Sequence, residues 1–460
     1  MLSKIDQGII IIYIIICFII GIVRNNKDKN LREYTIGFSY LPTAFWVMTI
    51  FATEVGAGSS IGIIQKIYED RGYFLIIQSF VIFHWILMYC VMPQGIGRFD
   101  GCMSLIDVME QLYGKWGKYI SSISGILMTI VLLASQITAL GYLFNTLLNV
   151  SFDIGVVIGF GTVVFYSYKG GMRAVTITDI FQFFVFMVAL PIIASYAYKN
   201  ITVGNLIESI SFEKEKNINY ESFISSCFYM MTLGINLPYI QRILIIKDKV
   251  QLKQVIIGKA LVAFFYYIAL VIIGLSLISL YSNTEADKSI IFYRYIVDYI
   301  PIGVKGLIII GILSLIMSSA DSWLNSSSII CARNFFKEIY PNTSNKKEVL
   351  IAKISLLIIA CISLCMAKLN KGIFELMMLA TSCFNPLIFM PVIVGFLGFK
   401  FSKNEYIKST IMTIIFTVIV CIIKGKLDSY VLMLGTLFNI LIILSIILYG
   451  KLKLLKCRNS

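Results

Sequence analysis

The chain has 460 residues, of which 58% are hydrophobic and 14% charged, and its mean hydropathy is +0.86. Soluble domains run at about 45–50% apolar, and so few charges cannot coat a water-facing surface for 51.9 kDa, which excludes a string of soluble globular domains. The net charge of +14 sits in short loops between apolar runs, a pattern that orients a membrane protein and does not build a nucleic-acid face.

Apolar runs of about 20 residues, the length that crosses a bilayer, recur along the chain. They fall at 8–23, 39–65, 73–93, 119–148, 154–168, 176–198, 222–240, 256–281, 301–331, 349–367, 373–396, 405–423 and 429–450. The first follows a single Lys and is not followed by a small-residue cleavage site, so it reads as a span and not as a signal peptide. Thirteen spans with the N-terminus outside put the basic clusters Arg24/Lys27/Lys29/Arg32, Arg242/Lys247/Lys249/Lys253 and Lys451/Lys453/Lys456/Arg458 on one side. That side is the expected cytoplasm, with the C-terminus inside. The expected fold is an all-α membrane protein divided as 1–38 (first span and inner loop), 39–198 (five spans), 199–221 (outer loop), 222–396 (five spans) and 397–460 (two spans and an inner tail). Residues 103–118 read as a short amphipathic helix at the inner interface. The ten cysteines are scattered, mostly inside apolar runs, and indicate neither a zinc site nor a disulfide framework.

Two spans are interrupted. The second reads Phe51-Ala52-Thr53-Glu54-Val55-Gly56-Ala57-Gly58-Ser59-Ser60-Ile61-Gly62, crowding glycines, hydroxyls and a carboxylate into its middle. Five spans later the seventh reads Gly234-Ile235-Asn236-Leu237-Pro238-Tyr239-Ile240-Gln241-Arg242. An odd offset makes the two run in opposite directions, as the first helices of a 5+5 inverted repeat do in secondary transporters, where each unwinds at the binding site. Close helix packing explains the glycines equally well when they are taken alone. Glu54 is expensive at the bilayer centre, about 2.5–3.5 kcal/mol or more, which makes it a functional candidate. A protonated or Lys-paired structural role is the alternative.

The ninth span contains Leu315-Ile316-Met317-Ser318-Ser319-Ala320-Asp321-Ser322. Positions 315, 318 and 319 share one helix face. A hard cation takes oxygen ligands, so the two hydroxyls, with carbonyls freed near Ala52 and Val55 in an unwound second span, suit a monovalent ion. Hydrogen bonding of both serines back to their own helix is the competing expectation. His84, the single histidine, reads as an interhelical hydrogen-bonding group more readily than as a proton carrier, and Glu375 reads as a solvated helix-end residue.

Three ordered motifs then carry a resemblance. Tyr166-Ser167-Tyr168-Lys169-Gly170-Gly171-Met172-Arg173-Ala174 with Val175-Thr176-Ile177-Thr178-Asp179-Ile180-Phe181-Gln182 follows the fifth span. Met317-Ser318-Ser319-Ala320-Asp321-Ser322 with Leu324 lies in the ninth, and Pro238 with Gln241-Arg242 closes the seventh. Together they resemble the sodium:solute symporter family, which includes sodium/proline and sodium/galactose symporters with the LeuT-type fold. The resemblance implies sodium held by the carbonyls of Ala52, Val55 and Leu315 and by the hydroxyls of Ser318 and Ser319. It also implies Glu54 close to ion and solute, and Asp179 on the inner ion path; a helix N-cap after the Gly-Gly loop is the other reading of Asp179. Glu54, Gly56, Ala57, Gln136, Asn236 and Thr381 are the candidate solute-binding residues. Met230 and Gly234 stand where the sodium/proline type has aromatic residues, and the amide and charge set of the sugar type is not matched, so neither solute is implied.

The expected function is sodium-coupled symport of a small polar solute by alternating access, with no cofactor, no nucleic acid and no obligate protein partner, at the plasma membrane. Proton coupling through Glu54 and a non-transporting membrane sensor are the alternatives. No Walker motif, nucleophile elbow or interfacial His/Asp/Glu cluster points to an enzyme.

Overall fold

The structure is a computed structural model that describes residues 2–23, 38, 40–201, 219–281, 287–368, 371–399 and 401–458, with 21–23 and 450–458 as backbone only. The clusters expected at 24–32 and at 451–458, and most of the loop 199–221, therefore lie outside the described side chains. Among the described residues ten helices are long and apolar enough to cross a membrane.

In chain order the helices are α1 (Lys4–Val23), α2 (Thr43–Glu54), α3 (Ile61–Ser79), α4 (Val81–Gly95), α5 (Leu105–Leu148), α6 (Phe152–Tyr198), α7 (Tyr220–Thr232) and α8 (Leu237–Ile245). They continue as α9 (Lys249–Tyr281), α10 (Ile291–Tyr299), α11 (Val304–Ile330), α12 (Asn345–Ala367), α13 (Ile373–Leu397), α14 (Lys403–Lys424) and α15 (Ser429–Arg458). α6 has 47 residues, about 70 Å at 1.5 Å each, more than twice a hydrocarbon core of about 30 Å. It is broken at Gly171, where φ is 58° and ψ −170°, a conformation only glycine adopts without strain. α5 breaks in the same way at Gly114 (φ 68°), which leaves a short helix from Leu105 where an amphipathic segment was expected.

The chain divides into two compact units. The first comprises Met1–Ser79, Thr129–Ile218 and Gln254–Met377. Its centre is α11, buried at every position from Ile308 to Ile330. Several of its serines meet their need for a partner within the helix, as Ser327 does at Trp323 O at 2.8 Å and Ser328 at Asn325 O at 2.8 Å. α6 and α1 flank it. The second unit comprises Phe80–Met128, Asn219–Lys253 and Met378–Ser460. Tyr113 stacks on Tyr406 at 4.3 Å between ring centroids and donates to Pro391 O at 2.9 Å, tying α5 to α13 and α14.

In the turn between α14 and α15, Asp428 accepts from Val431 N at 3.0 Å and pairs with Lys426 at 2.9 Å. Burial would push its carboxyl up, but the Val431 amide and Lys426 outweigh this and hold it below the usual carboxylate range. A carboxyl lowered in the folded state stabilises above its unfolded pKa and loses that contribution as pH falls through the folded one. Asp428→Ala should therefore lower stability by about 1 kcal/mol at neutral pH, the worth of an N-cap. The gap to the parent protein should close as pH drops below about 4; a thermal-melt series across pH reads it directly, and a pH-independent gap would refute it.

Candidate functional site

The second span breaks where the glycines lie. α2 ends at Glu54, and Val55–Ser60 are non-helical before α3 begins at Ile61. The break is made by side chains that capture the donors a continuing helix needs. Gly56 N bonds Ser59 Oγ at 3.0 Å, and Ala57 N bonds Gln136 Oε1 at 2.8 Å. In a regular helix those two amides would serve the carbonyls of Ala52 and Thr53, so both are released. Ser60 closes the turn by donating to Gly56 O at 2.6 Å. A Cβ on Gly56 would stand 2.5 Å from Gln136 Nε2 and from Ser319 Oγ, so only glycine lets the unwound strand approach α11 this closely.

The released oxygen meets α11. Ser318 Oγ donates to Ala52 O at 2.9 Å and lies 3.2 Å from Leu315 O, while Ser319 Oγ donates to Ile316 O at 3.2 Å. Ser319 thus follows the own-helix expectation, and Ser318 joins its own helix and the broken one. All of these groups are buried. Oxygens 2.9–3.2 Å apart have the spacing of neighbours in the shell of a hard cation bound at about 2.4 Å.

Beside this cluster two further acids are buried. Asp179 lies inside α6, eight residues past the break at Gly171, and so does not cap a helix. Its Oδ2 accepts from Thr49 Oγ1 at 2.7 Å and lies 3.4 Å from Thr53 Oγ1, which is 3.4 Å from Ser322 Oγ. Asp321 Oδ2 accepts from Tyr166 OH at 2.8 Å.

Glu54 is paired. Lys259 Nζ on α9 lies 2.6 Å from Glu54 Oε2, with the two side chains 2% and 18% exposed. The remaining oxygen, Glu54 Oε1, is buried without a hydrogen-bond partner, and the Gln78 amide is buried beside it. Tyr267 faces both Glu54 and Gln78, and Tyr266 donates to Ser60 Oγ at 2.6 Å.

The second unit contains the other break. α7 ends at Thr232, and residues 233–236 are non-helical before α8. Asn236 caps α8, its Oδ1 accepting from Tyr239 N at 2.9 Å and its Nδ2 donating to Leu233 O at 3.3 Å, so its amide is spent on the break itself. His84 packs its ring against Gly234. Thr381 is buried. Glu375 is exposed, as a helix-end residue should be.

With this geometry in hand, a family-wide sequence comparison is decisive: the model of the sodium:solute symporter family matches residues 34–413. The chain belongs to the sodium:solute symporter family. Sodium/proline symporters of Staphylococcus aureus are among its relatives, one 22% identical over 379 residues, covering 78% of this chain and 74% of that protein. The substrate-bound, outward-open state of a Na⁺-coupled sialic acid symporter superposes with a TM-score of 0.81 at 17% identity, over 96% of each chain. MhsT in complex with L-phenylalanine superposes at 0.59 with 16% identity, over 88% of this chain and 99% of its own. The fold is thus that of LeuT-like symporters, and the chain is a multi-pass membrane transporter, not an enzyme.

As a family member the chain has groups at its first break that motif reading did not reach. Lys259, Gln78, Tyr266, Thr49 and Thr53 lie in no family motif quoted above. A signal existed for Lys259. A lone ammonium inside the apolar run 256–281 carries the same penalty as Glu54 in its own span, and two opposite buried charges invite pairing.

Proposed function

We propose that this sodium:solute symporter family member couples inward sodium flow to uptake of a small polar, net-neutral solute by alternating access. The single observation that carries the ion assignment is the 2.9 Å contact of Ser318 Oγ with Ala52 O, which joins α11 to the broken α2. Sodium would be ligated there by the carbonyls of Ala52, Val55 and Leu315 and the hydroxyls of Ser318 and Ser319. Binding would draw α11 and the unwound strand together, and coupling follows to the extent that the ion prefers that state.

The solute would meet Glu54 Oε1, which is buried without a partner, and Gln78, which Tyr267 adjoins, together with the strand at Gly56 and Ala57. An unmet buried polar atom costs about 1–3 kcal/mol, which a ligand offering both donors and acceptors recovers. Because Lys259 already balances Glu54, a solute without net charge, of the amino-acid kind or another small polar metabolite, fits better than a free cation. Gln136 and Asn236 each hold open the break in their own unit. Asp179, bonded to α2 through Thr49, is assigned to the inner ion path. The full arrangement is thirteen spans with a 5+5 inverted repeat at 39–198 and 222–396, N-terminus outside and C-terminus inside, in the plasma membrane.

The test is a thermal-shift screen of the purified protein against a metabolite panel, in NaCl and in KCl at equal ionic strength. A solute that stabilises only with sodium supports the reading, since ligand binding raises stability by mass action. Solute stabilisation that is identical in both salts but follows pH overturns the sodium assignment in favour of proton coupling.

A further inference from the structure

α1 precedes the segment matched to the family and contributes none of the oxygens assigned to the ion. It nonetheless grips the ion-bearing helix at two heights. At the N-terminus of α11 the cap residue is Gly303, with φ 89° and no side chain of its own to offer. The cap comes from α1: Asp6 Oδ1 accepts from Gly306 N at 2.7 Å and Gly303 N at 3.1 Å. Ser3 holds the carboxylate in place, donating to Oδ2 from N at 3.1 Å and from Oγ at 2.6 Å. Asp6 is fully buried, and a Cβ on Gly306 would lie 2.8 Å from Asp6 Cα. The helices meet backbone to backbone with no slack.

The second grip is three turns of α11 further on. The Tyr13 hydroxyl, in a fully apolar stretch of α1, accepts from Gln182 Nε2 of α6 at 3.2 Å, lies 3.0 Å from Ser314 Oγ, whose single proton it shares with Ile310 O at 2.7 Å, and points its own proton at Met317 Sδ, 3.9 Å away. Ser314 lies one turn before Ser318 and Met317 is its neighbour, so the bridge ends directly beneath the ion-facing hydroxyl.

We propose that α1 is a positioning element for sodium binding: Asp6 and Tyr13 set the height and rotation of α11, and through it the distance from Ser318 to Ala52 O. Binding groups work best when held within about 0.5 Å of their productive positions, and outer groups that hold ligands in place are commonly worth about ten-fold or more in ion affinity. The proposal rests on the sodium reading given above.

The experiment is a NaCl titration of the thermal stability of purified full-length protein, with KCl holding ionic strength constant, for Asp6→Ala, Asp6→Asn, Gly306→Ala, Tyr13→Phe and, in parallel, Ser318→Ala. Asp6→Ala, Gly306→Ala and Tyr13→Phe should raise the half-saturating NaCl about ten-fold. Asp6→Asn, which keeps an acceptor for the two amides, should stay near the parent value. A merely structural clamp would lower the melting temperature in KCl alone and leave half-saturation where it was, and that result in all three variants overturns the inference. Tyr13→Phe, which removes one oxygen and little volume, keeps the test open should Asp6→Ala not fold. No sodium response in the parent protein, or one that Ser318→Ala leaves intact, defeats the sodium reading and this inference with it. A parent response lost in Ser318→Ala but unmoved by the α1 variants defeats this inference alone.

Discussion

Ser318→Ala combined with Ser319→Ala is expected to abolish stabilisation by NaCl and sodium-driven uptake while the protein still folds. The two hydroxyls differ in what their loss exposes. Ser319 donates to Ile316 O within its own helix, where the backbone already uses that carbonyl, so its removal strands nothing. Ser318 donates across to Ala52 O, and its loss leaves that oxygen facing an apolar methyl. A contact to a charged partner is worth about 1.5–3 kcal/mol, or roughly ten- to hundred-fold in affinity for each hydroxyl. The double variant should thus bind sodium outside any useful range, whereas the loss of fold stability should stay within about 1–3 kcal/mol, the cost of the Ala52 carbonyl left unmet. Sodium titration of purified variants, followed by uptake in proteoliposomes, provides the check. A double variant that NaCl stabilises as strongly as the parent would place the ion elsewhere.

The second large effect is expected at the buried pair. Lys259→Met alone should destabilise the protein by about 3–5 kcal/mol, because it leaves Glu54 charged and without its counterion in a low-dielectric setting. Adding Glu54→Gln to Lys259→Met should recover most of that loss, since two neutral side chains of similar volume need no mutual compensation. Chemical or thermal unfolding in one detergent measures both. A double variant as unstable as the single would show that Lys259 acts through packing and not through its charge.

Much of the architecture was legible in the chain. The apolar runs locate the helices because a bilayer demands about 20 residues of them, and the clustered glycines, hydroxyls and the Asn-Leu-Pro step mark both breaks. The approach of Ser318 to Ala52 was reached through helix-face spacing and the resemblance together. What eluded the sequence shares one character: each is a pairing between distant segments. Glu54 and Lys259 are separated by 205 positions, and Asp6 and Gly306 by 300. Periodicity reports only which face of a helix is apolar, and so it finds a helix without naming its neighbour. Asp179 shows the same limit from the other direction. A carboxylate after a Gly-Gly break can be read as a cap, but the helix resumes directly after Gly171, and Asp179, eight residues on, reaches sideways to Thr49 of α2.

The oxygens gathered around Ser318 have an electrical consequence. Carbonyls and hydroxyls soften an ion's loss of water without a formal charge of their own, and the acidic groups nearby, Glu54, Asp179 and Asp321, are present whether the site is empty or filled. A loaded carrier would therefore reorient with one more positive charge than an empty one. Each sodium would draw on the membrane voltage, about 2.3 kcal/mol per 100 mV, as well as on its concentration difference, and a cell with a well-polarised membrane could concentrate the solute even where external sodium is scarce.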